Sequence, residues 1–346
     1  MASSMVHDNP TSRAADAGDV RSGFGALLSG CGVYDLSTRV KIALTGTDRV
    51  RWLNGMVTNN IRDLAQGHGV YAFLLNPQGH ILGDLYAYHR GDSLIIDADQ
   101  SQAEKLLATF DHYIIMDDVE VANVSARLTA IGIIGPKAHE VLRAAGFEIP
   151  QLEPLQFVDV SWQNVAVTVV RGDKPGVESY ELWLSPDQVS LLRDALVKAG
   201  ATPIGSAALE LLRIVAGIPC YGQDIRERDL PQETEQQRAL HFSKGCYIGQ
   251  EIVERIRSRG NVHRKFTGFE VQGDLPAVGA KIQADGRDVG EITSVASLPL
   301  ASGDRLVALG YIRREIGTPG EQFQVGSTQL SVAALPFSRI FQSESL

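Results

Sequence analysis

Between Arg39 and Thr45 apolar and polar residues alternate, a period of two that predicts a β-strand. Thr47 or Asp48 stands where a helix cap belongs, ahead of Val50, Leu53, Met56 and Val57 at helical spacing. Val70–Leu75 and Ile81–His89 read as two strands joined by the turn residues Asn76-Pro77-Gln78-Gly79, a hairpin. Ser93–Asp97 predicts another strand, and Gln102–Tyr113 a helix with Leu106, Leu107 and Phe110 on its inner face. A similar alternation follows without sequence repetition. Leu128–Ile134, Val165–Val170 and Tyr180–Leu184 predict strands, whereas Lys137–Ala145 and Pro186–Lys198 predict helices closed by Gly146 and Gly200. None of these strands shows the long apolar run of a strand buried on both faces in a parallel sheet. The pattern therefore predicts an α+β fold with antiparallel sheets packed by helices.

Beyond Gly260 the texture changes. Short strand-like pieces at Phe266–Val271, Lys281–Ala284, Val289–Val295, Leu306–Ile312 and Gln329–Val332 are punctuated by Gly, Pro and Asp. Regular short strands of this kind predict a small C-terminal β-barrel or sandwich, with a boundary near 260–265. At the other end, the first twenty or so residues are small and polar, and order is expected to begin near Phe24 after a disordered tail over 1–23.

Charge and cysteine content narrow the function classes. With 32 basic and 41 acidic residues the formal net charge is -9, which argues against general nucleic-acid binding. Cys31, Cys220 and Cys246 are few and far apart, so neither a disulfide framework nor a cysteine-pair zinc site is expected, and no metal ligand is assigned. Asp8, Asp16 and Asp19 are foreign to a transit peptide, and no apolar run is long enough to span a bilayer. The reading is a cytoplasmic monomer with no membrane partner.

Chemistry concentrates in Lys244-Gly245-Cys246-Tyr247-Ile248-Gly249-Gln250-Glu251 and the segment to Arg259. Two glycines bracket a tight turn, and Gln250 and Glu251 open a helix carrying Ile252, Val253 and Ile256. A cysteine close to a lysine and a helix N-terminus is a candidate nucleophile or redox group, because a positive field favours thiolate. The plainer alternative is a small buried filler. From 244 to 265 there are six basic residues against Glu251 and Glu254. That excess reads either as an anion-binding rim or as a solvated helix face with pairs such as Glu251–Arg255.

The string KGCYIGQEIVERIRSRG resembles the signature of the YgfZ family, with Arg255 at the position of its spaced arginine. Leu230-Pro231-Gln232-Glu233 resembles the segment leading into that signature. Upstream, Val33–Ser37, the run Asp48–Ile61, the hairpin Tyr71–Leu85 and Leu211–Gly222 resemble the glycine-cleavage T-protein, to which that family is related. The resemblance implies a T-protein-like three-part ring. A body of two intertwined α+β domains over 24–260 binds folate, and a barrel follows over 261–346.

The resemblance also implies site residues. Tyr71 falls at a folate-contacting tyrosine, and Asp84 at the aspartate that engages folate near its reacting nitrogen. Glu181 matches a glutamate used for the pterin ring, and Arg213 an arginine near the folate tail. Taken singly, Tyr71 is an ordinary strand aromatic, Asp84 and Glu181 are exposed strand acids, and Arg213 is a surface ion pair with Glu210. Taken together they imply a pocket for tetrahydrofolate or a one-carbon-substituted folate. Trp162 and Trp183 read equally as pocket walls or core. Two departures argue against glycine-cleavage transfer itself: Lys174 replaces a tyrosine in the loop Arg171–Ser179, and Gly83-Asp84 replaces paired aspartates. The implied function is a tetrahydrofolate-binding accessory factor for assembly or repair of iron–sulfur proteins, partnered by those proteins or their machinery, with Cys246 as its reactive thiol. The alternative is a folate-dependent aminomethyltransferase or other one-carbon transfer enzyme.

Overall fold

The turn at Asn76–Gly79 reverses the chain because Gly79 takes φ +78° and the Asn76 side chain accepts from the His80 N–H at 2.9 Å. In the computed structural model, which describes residues 10–260, 262–338 and 340, this hairpin begins the first of three sheets. The elements run α1 (Pro10–Ser29), β1 (Gly32–Asp35), β2 (Arg39–Thr45), α2 (Arg49–Met56), β3 (Gly69–Leu75), β4 (Ile81–His89), β5 (Leu94–Asp99), α3 (Ala103–Tyr113) and β6 (Glu120–Asn123). They continue with β7 (Thr129–Ile134), α4 (Ala138–Ala144), β8 (Phe157–Trp162), β9 (Val165–Arg171), β10 (Ser179–Leu184), α5 (Val189–Lys198), β11 (Thr202–Pro203), α6 (Ser206–Val215) and α7 (Gln250–Arg259). The last part holds β12 (Arg264–Gln272), β13 (Lys281–Ala284), β14 (Arg287–Leu300), β15 (Gly303–Arg313), β16 (Gln322–Val325) and β17 (Thr328–Ala333).

The first sheet has the order β3-β4-β5-β2-β6, and its pairs are antiparallel. The second has the order β11-β1-β7-β10-β9-β8, antiparallel except for β1 against β11. Its β1 precedes the whole first sheet in sequence, so the two α+β units interleave. The C-terminal strands close into a barrel, β12-β15-β14-β13-β16-β17. The chain thus has the expected α+β architecture of antiparallel sheets, packing helices and a terminal barrel.

Each sheet buries one face under helices. Trp52, Leu53 and Met56 of α2 and Leu106 and Phe110 of α3 cover Ile42, Leu44, Leu85 and Ile96 of the first sheet. Val141 and Leu142 of α4 and Leu192 and Leu196 of α5 cover Ile131, Ile133 and Leu182 of the second. The opposite faces turn toward each other and frame the cavity described below.

Residues 1–9 of the expected tail lie outside the described residues, but from Pro10 the chain is helical. The apolar signal is confined to its last turns. There Phe24 and Leu27 are fully buried beside Leu212 and Val215 of α6 and the barrel residues Leu309 and Tyr311. Arg21 anchors the preceding turn on Asp304 at 2.8 Å. Among the described residues no helix is long and apolar enough to cross a membrane.

Candidate functional site

A cavity of about 440 Å³ opens between the two sheets and α6. Tyr71, Asp84, Glu181 and Arg213 all line it, although they come from β3, β4, β10 and α6. On the first sheet Tyr71 is paired with Tyr86, and Asp84 stands two residues from Tyr86 on the same face. That diagonal lets the Tyr71 hydroxyl donate to the Asp84 carboxylate at 2.7 Å. The other Asp84 oxygen accepts from Gln102 at 2.7 Å, and the Gln102 carbonyl accepts the Asp84 N–H at 2.9 Å. Gly83 makes room for this. A Cβ there would stand 2.8 Å from the Gln102 carbonyl oxygen, so the glycine of the Gly83-Asp84 pair lets the amide lie against the strand. Burial pushes the Tyr71 phenol well above its ordinary pKa, and the Asp84 charge adds to the effect, so it stays a hydroxyl donor.

Arg238 covers the Tyr71 ring, its guanidinium 4.2 Å from the ring centre, and pairs with Asp173. Asn59 sets this geometry by donating to the backbone carbonyls of both Tyr71 (2.7 Å) and Arg238 (2.8 Å). Nothing near Arg238 in sequence singles it out.

Glu181 projects from β10 on the face opposite Tyr180, Leu182 and Leu184, as alternation predicts. Trp183, fully buried, donates its indole N–H to Glu181 at 2.9 Å. The fully buried Lys41 of β2 stands 3.7 Å from Glu181 and 2.7 Å from Asp97, with its ammonium 4.1 Å from the centre of the Trp183 ring. Arg39 completes the row, bonding Asp97 at 2.8 and 2.9 Å. Burial alone would raise the Glu181 pKa. Lys41, Arg39 and Lys174 outweigh it and hold the carboxyl down at about 2. Glu181 is therefore an anion at the cavity wall.

Arg213 lines the cavity with its donors engaged. They reach Glu210 (2.6 and 2.8 Å), the Ile218 carbonyl and the fully buried Asp224 (both 2.6 Å), and Ser294 of the barrel (2.9 Å). Asp224 also accepts from Thr293, Ser294 and the Cys220 N–H. This cluster fastens α6 and the turn after it to β14.

Cys246 is not among the residues lining the cavity. It is exposed, so it is not the buried filler weighed above. The sulfur on the cavity wall is that of Cys220, and burial pushes its thiol up to about 11. The signature string instead holds the first sheet's hairpin. A Cβ at Gly249 would lie 2.6 Å from the Asn76 carbonyl oxygen, and one at Gly79 would lie 2.8 Å from the Ile252 Cβ. Tyr247 packs with Phe73, Leu75 and Ile81, and its N–H reaches Gln250 at 3.3 Å. Lys244 is buried, donating to the carbonyls of Asn54 and Val57 at the end of α2, and burial lowers its pKa to about 7. Gly245, at φ +97°, makes the turn. The basic excess is partly spent internally. Arg255 meets Glu251 at 2.8 Å and Arg257 meets Glu254 at 3.1 Å, both at the surface, while Arg264 bonds Asp229 and Glu233. Trp162 belongs to the core under the second sheet, not to the cavity.

Residues 13–244 match the model of the GCVT N-terminal domain. The aminomethyltransferase of Rubrobacter xylanophilus is 29% identical over 294 residues, covering 84% of this chain and 78% of the relative. That of Rippkaea orientalis is 29% identical over 334 residues, covering 91% and 88%. Among solved structures, the glycine cleavage system aminomethyltransferase T from Bartonella henselae superposes with a TM-score of 0.83 at 23% identity, covering 92% of this chain and 89% of that one, a likeness of fold.

Proposed function

The chain belongs to the GCVT N-terminal domain family, and from that premise we propose that its cavity binds tetrahydrofolate or a one-carbon-substituted folate and that the protein transfers a one-carbon unit in the manner of an aminomethyltransferase. The observation that carries the reading is the convergence of Asp84 and Glu181, from two different sheets, on one cavity of about 440 Å³. The residues present suit a reduced pterin. An ionised Glu181 accepts paired N–H donors from an aminopyrimidine edge, and Tyr71, Tyr86 and Tyr88 supply aromatic walls. A bound tetrahydrofolate supplies the nitrogen that carries the one-carbon unit. Asp84, oriented by Tyr71 and Gln102, stabilises positive charge or accepts a proton beside it. Arg238 and Tyr71 close one side and exclude water. Arg213 fixes the wall rather than gripping the ligand.

The relatives carry the aminomethyltransferase name, which favours one-carbon transfer over the iron–sulfur accessory role. The accessory role keeps one supporting observation, the exposure of Cys246 within the KGCYIGQE string. Titration calorimetry with tetrahydrofolate, followed by turnover assays with an aminomethyl donor, tests the main reading. Saturable binding with turnover that Asp84→Ala lowers by 10²-fold or more is expected. A folded protein that binds no folate overturns it. Bound folate without turnover, together with loss of iron–sulfur enzyme activities in cells carrying only Cys246→Ser, would move the assignment to the accessory role.

A further inference from the structure

Most of the cavity's cations are already matched. Arg39 is held by Asp97, Arg238 by Asp173, and Arg213 by Glu210 and Asp224. Lys174, on the loop between β9 and β10, lines the same cavity and makes no hydrogen bond or ion pair with another described residue. A second donor stands on the same wall. Tyr34 is 7% exposed, and its hydroxyl is buried without a partner.

The sheet register explains how that hydroxyl arrives there. Tyr34 of β1 and Glu181 of β10 are both paired with Gly132 of the intervening β7. A Cβ at Gly132 would fall inside the Tyr34 ring, so the ring lies across the strand toward the Glu181 side. An ammonium and a phenol O–H, neither with a hydrogen-bond acceptor among the described residues, thus line the same cavity.

We propose that Lys174 and Tyr34 form a subsite for a singly charged carboxylate on the ligand that enters this cavity. An ammonium with no hydrogen-bond partner, beside an O–H donor, suits a carboxylate. A phosphate dianion would meet repulsion from Asp84, Asp99, Asp173 and Glu181 on the same walls. The subsite deepens the folate reading and rests on it. Two sources carry the chemistry: the glutamate tail of a folate, or the free carboxylate of a small amino-acid co-substrate.

Calorimetry separates them. Wild type, Lys174→Met and Tyr34→Phe are each titrated with tetrahydrofolate and with 6-methyltetrahydropterin, which lacks every carboxylate. Each is then titrated with glycine and with glycine methyl ester, before and after folate loading. If the tail occupies the subsite, Lys174→Met weakens tetrahydrofolate about tenfold and leaves the pterin unchanged. If a co-substrate occupies it, glycine binds wild type in preference to its ester, and Lys174→Met abolishes that preference at unchanged folate affinity. Tyr34→Phe shifts the same quantity in the same direction by a smaller factor. Equal affinities of wild type and Lys174→Met for all four probes, with circular dichroism unchanged, overturn the subsite. Wild type that binds neither folate nor pterin overturns the folate reading instead, and the glycine titration of unloaded protein still decides the subsite.

Discussion

Replacing Arg213 by alanine separates two roles for one side chain. The resemblance casts it as a clamp for the folate tail, whereas the structure commits its donors to Glu210, Asp224, Ser294 and the Ile218 carbonyl. Glu210 is half exposed and returns to water at little cost. Asp224 is fully buried, and without Arg213 its charge rests on the Thr293 and Ser294 hydroxyls and the Cys220 N–H alone. Breaking a buried pair by removing one partner costs about 3–5 kcal/mol. The cluster ties α6 to the barrel, so the loss falls on global stability. Urea unfolding followed by fluorescence should show Arg213→Ala less stable by about that amount. Tetrahydrofolate affinity, measured well below the unfolding transition, should change by less than about threefold, since no donor is withdrawn from the ligand. Adding Asp224→Asn to Arg213→Ala should recover part of the loss by removing the stranded charge. A variant of unchanged stability that binds tetrahydrofolate thirtyfold or more weakly would refute this reasoning and restore Arg213 as a clamp.

Glu181 sets a pH dependence. Its carboxyl titrates near 2 when folded against an ordinary 4.5, a depressed value, so its stabilisation is complete above about pH 4.5 and is lost as pH falls toward 2. The difference corresponds to about 3 kcal/mol. Unfolding midpoints of wild type and Glu181→Gln between pH 3 and 7 should therefore differ by a constant amount above about pH 5 and converge below it, and divergence on acidification would contradict the ion-pair account. Gly132→Ala drives a methyl into the Tyr34 ring and should cost about 1–3 kcal/mol, part of which Tyr34→Ala in the same chain restores. A double-mutant cycle with no coupling would mean that Gly132 is glycine for another reason.

What the sequence discloses here is local, and what it hides is the matching of partners. The sequence pattern finds β2, β3, β4 and β10 of the cavity walls but not β1, and alternation assigns Glu181 and Trp183 to one face of β10. It passes over β6, four mostly exposed residues at a sheet edge, and α1, whose first turns carry no large apolar side chain. Helical spacing makes the Arg213–Glu210 pair legible, because the two lie three residues apart. The Asp224 and Ser294 contacts of the same guanidinium join α6 to a turn and to the barrel, and no local period encodes them. Lys41, Asp97 and Glu181 likewise come from three strands and meet only after both sheets form. Cys246 shows the other side of this limit. A cysteine near a lysine and a helix start has the composition of a reactive site, yet that lysine is turned inward onto carbonyls at the end of α2. Residue type and spacing nominate a charged group, but only its completed set of partners says whether a donor is left over for a ligand. By that criterion the cavity offers Glu181 as an acceptor and Lys174 and Tyr34 as donors without a partner, and of these three only Glu181 is assigned to the ligand on sequence grounds.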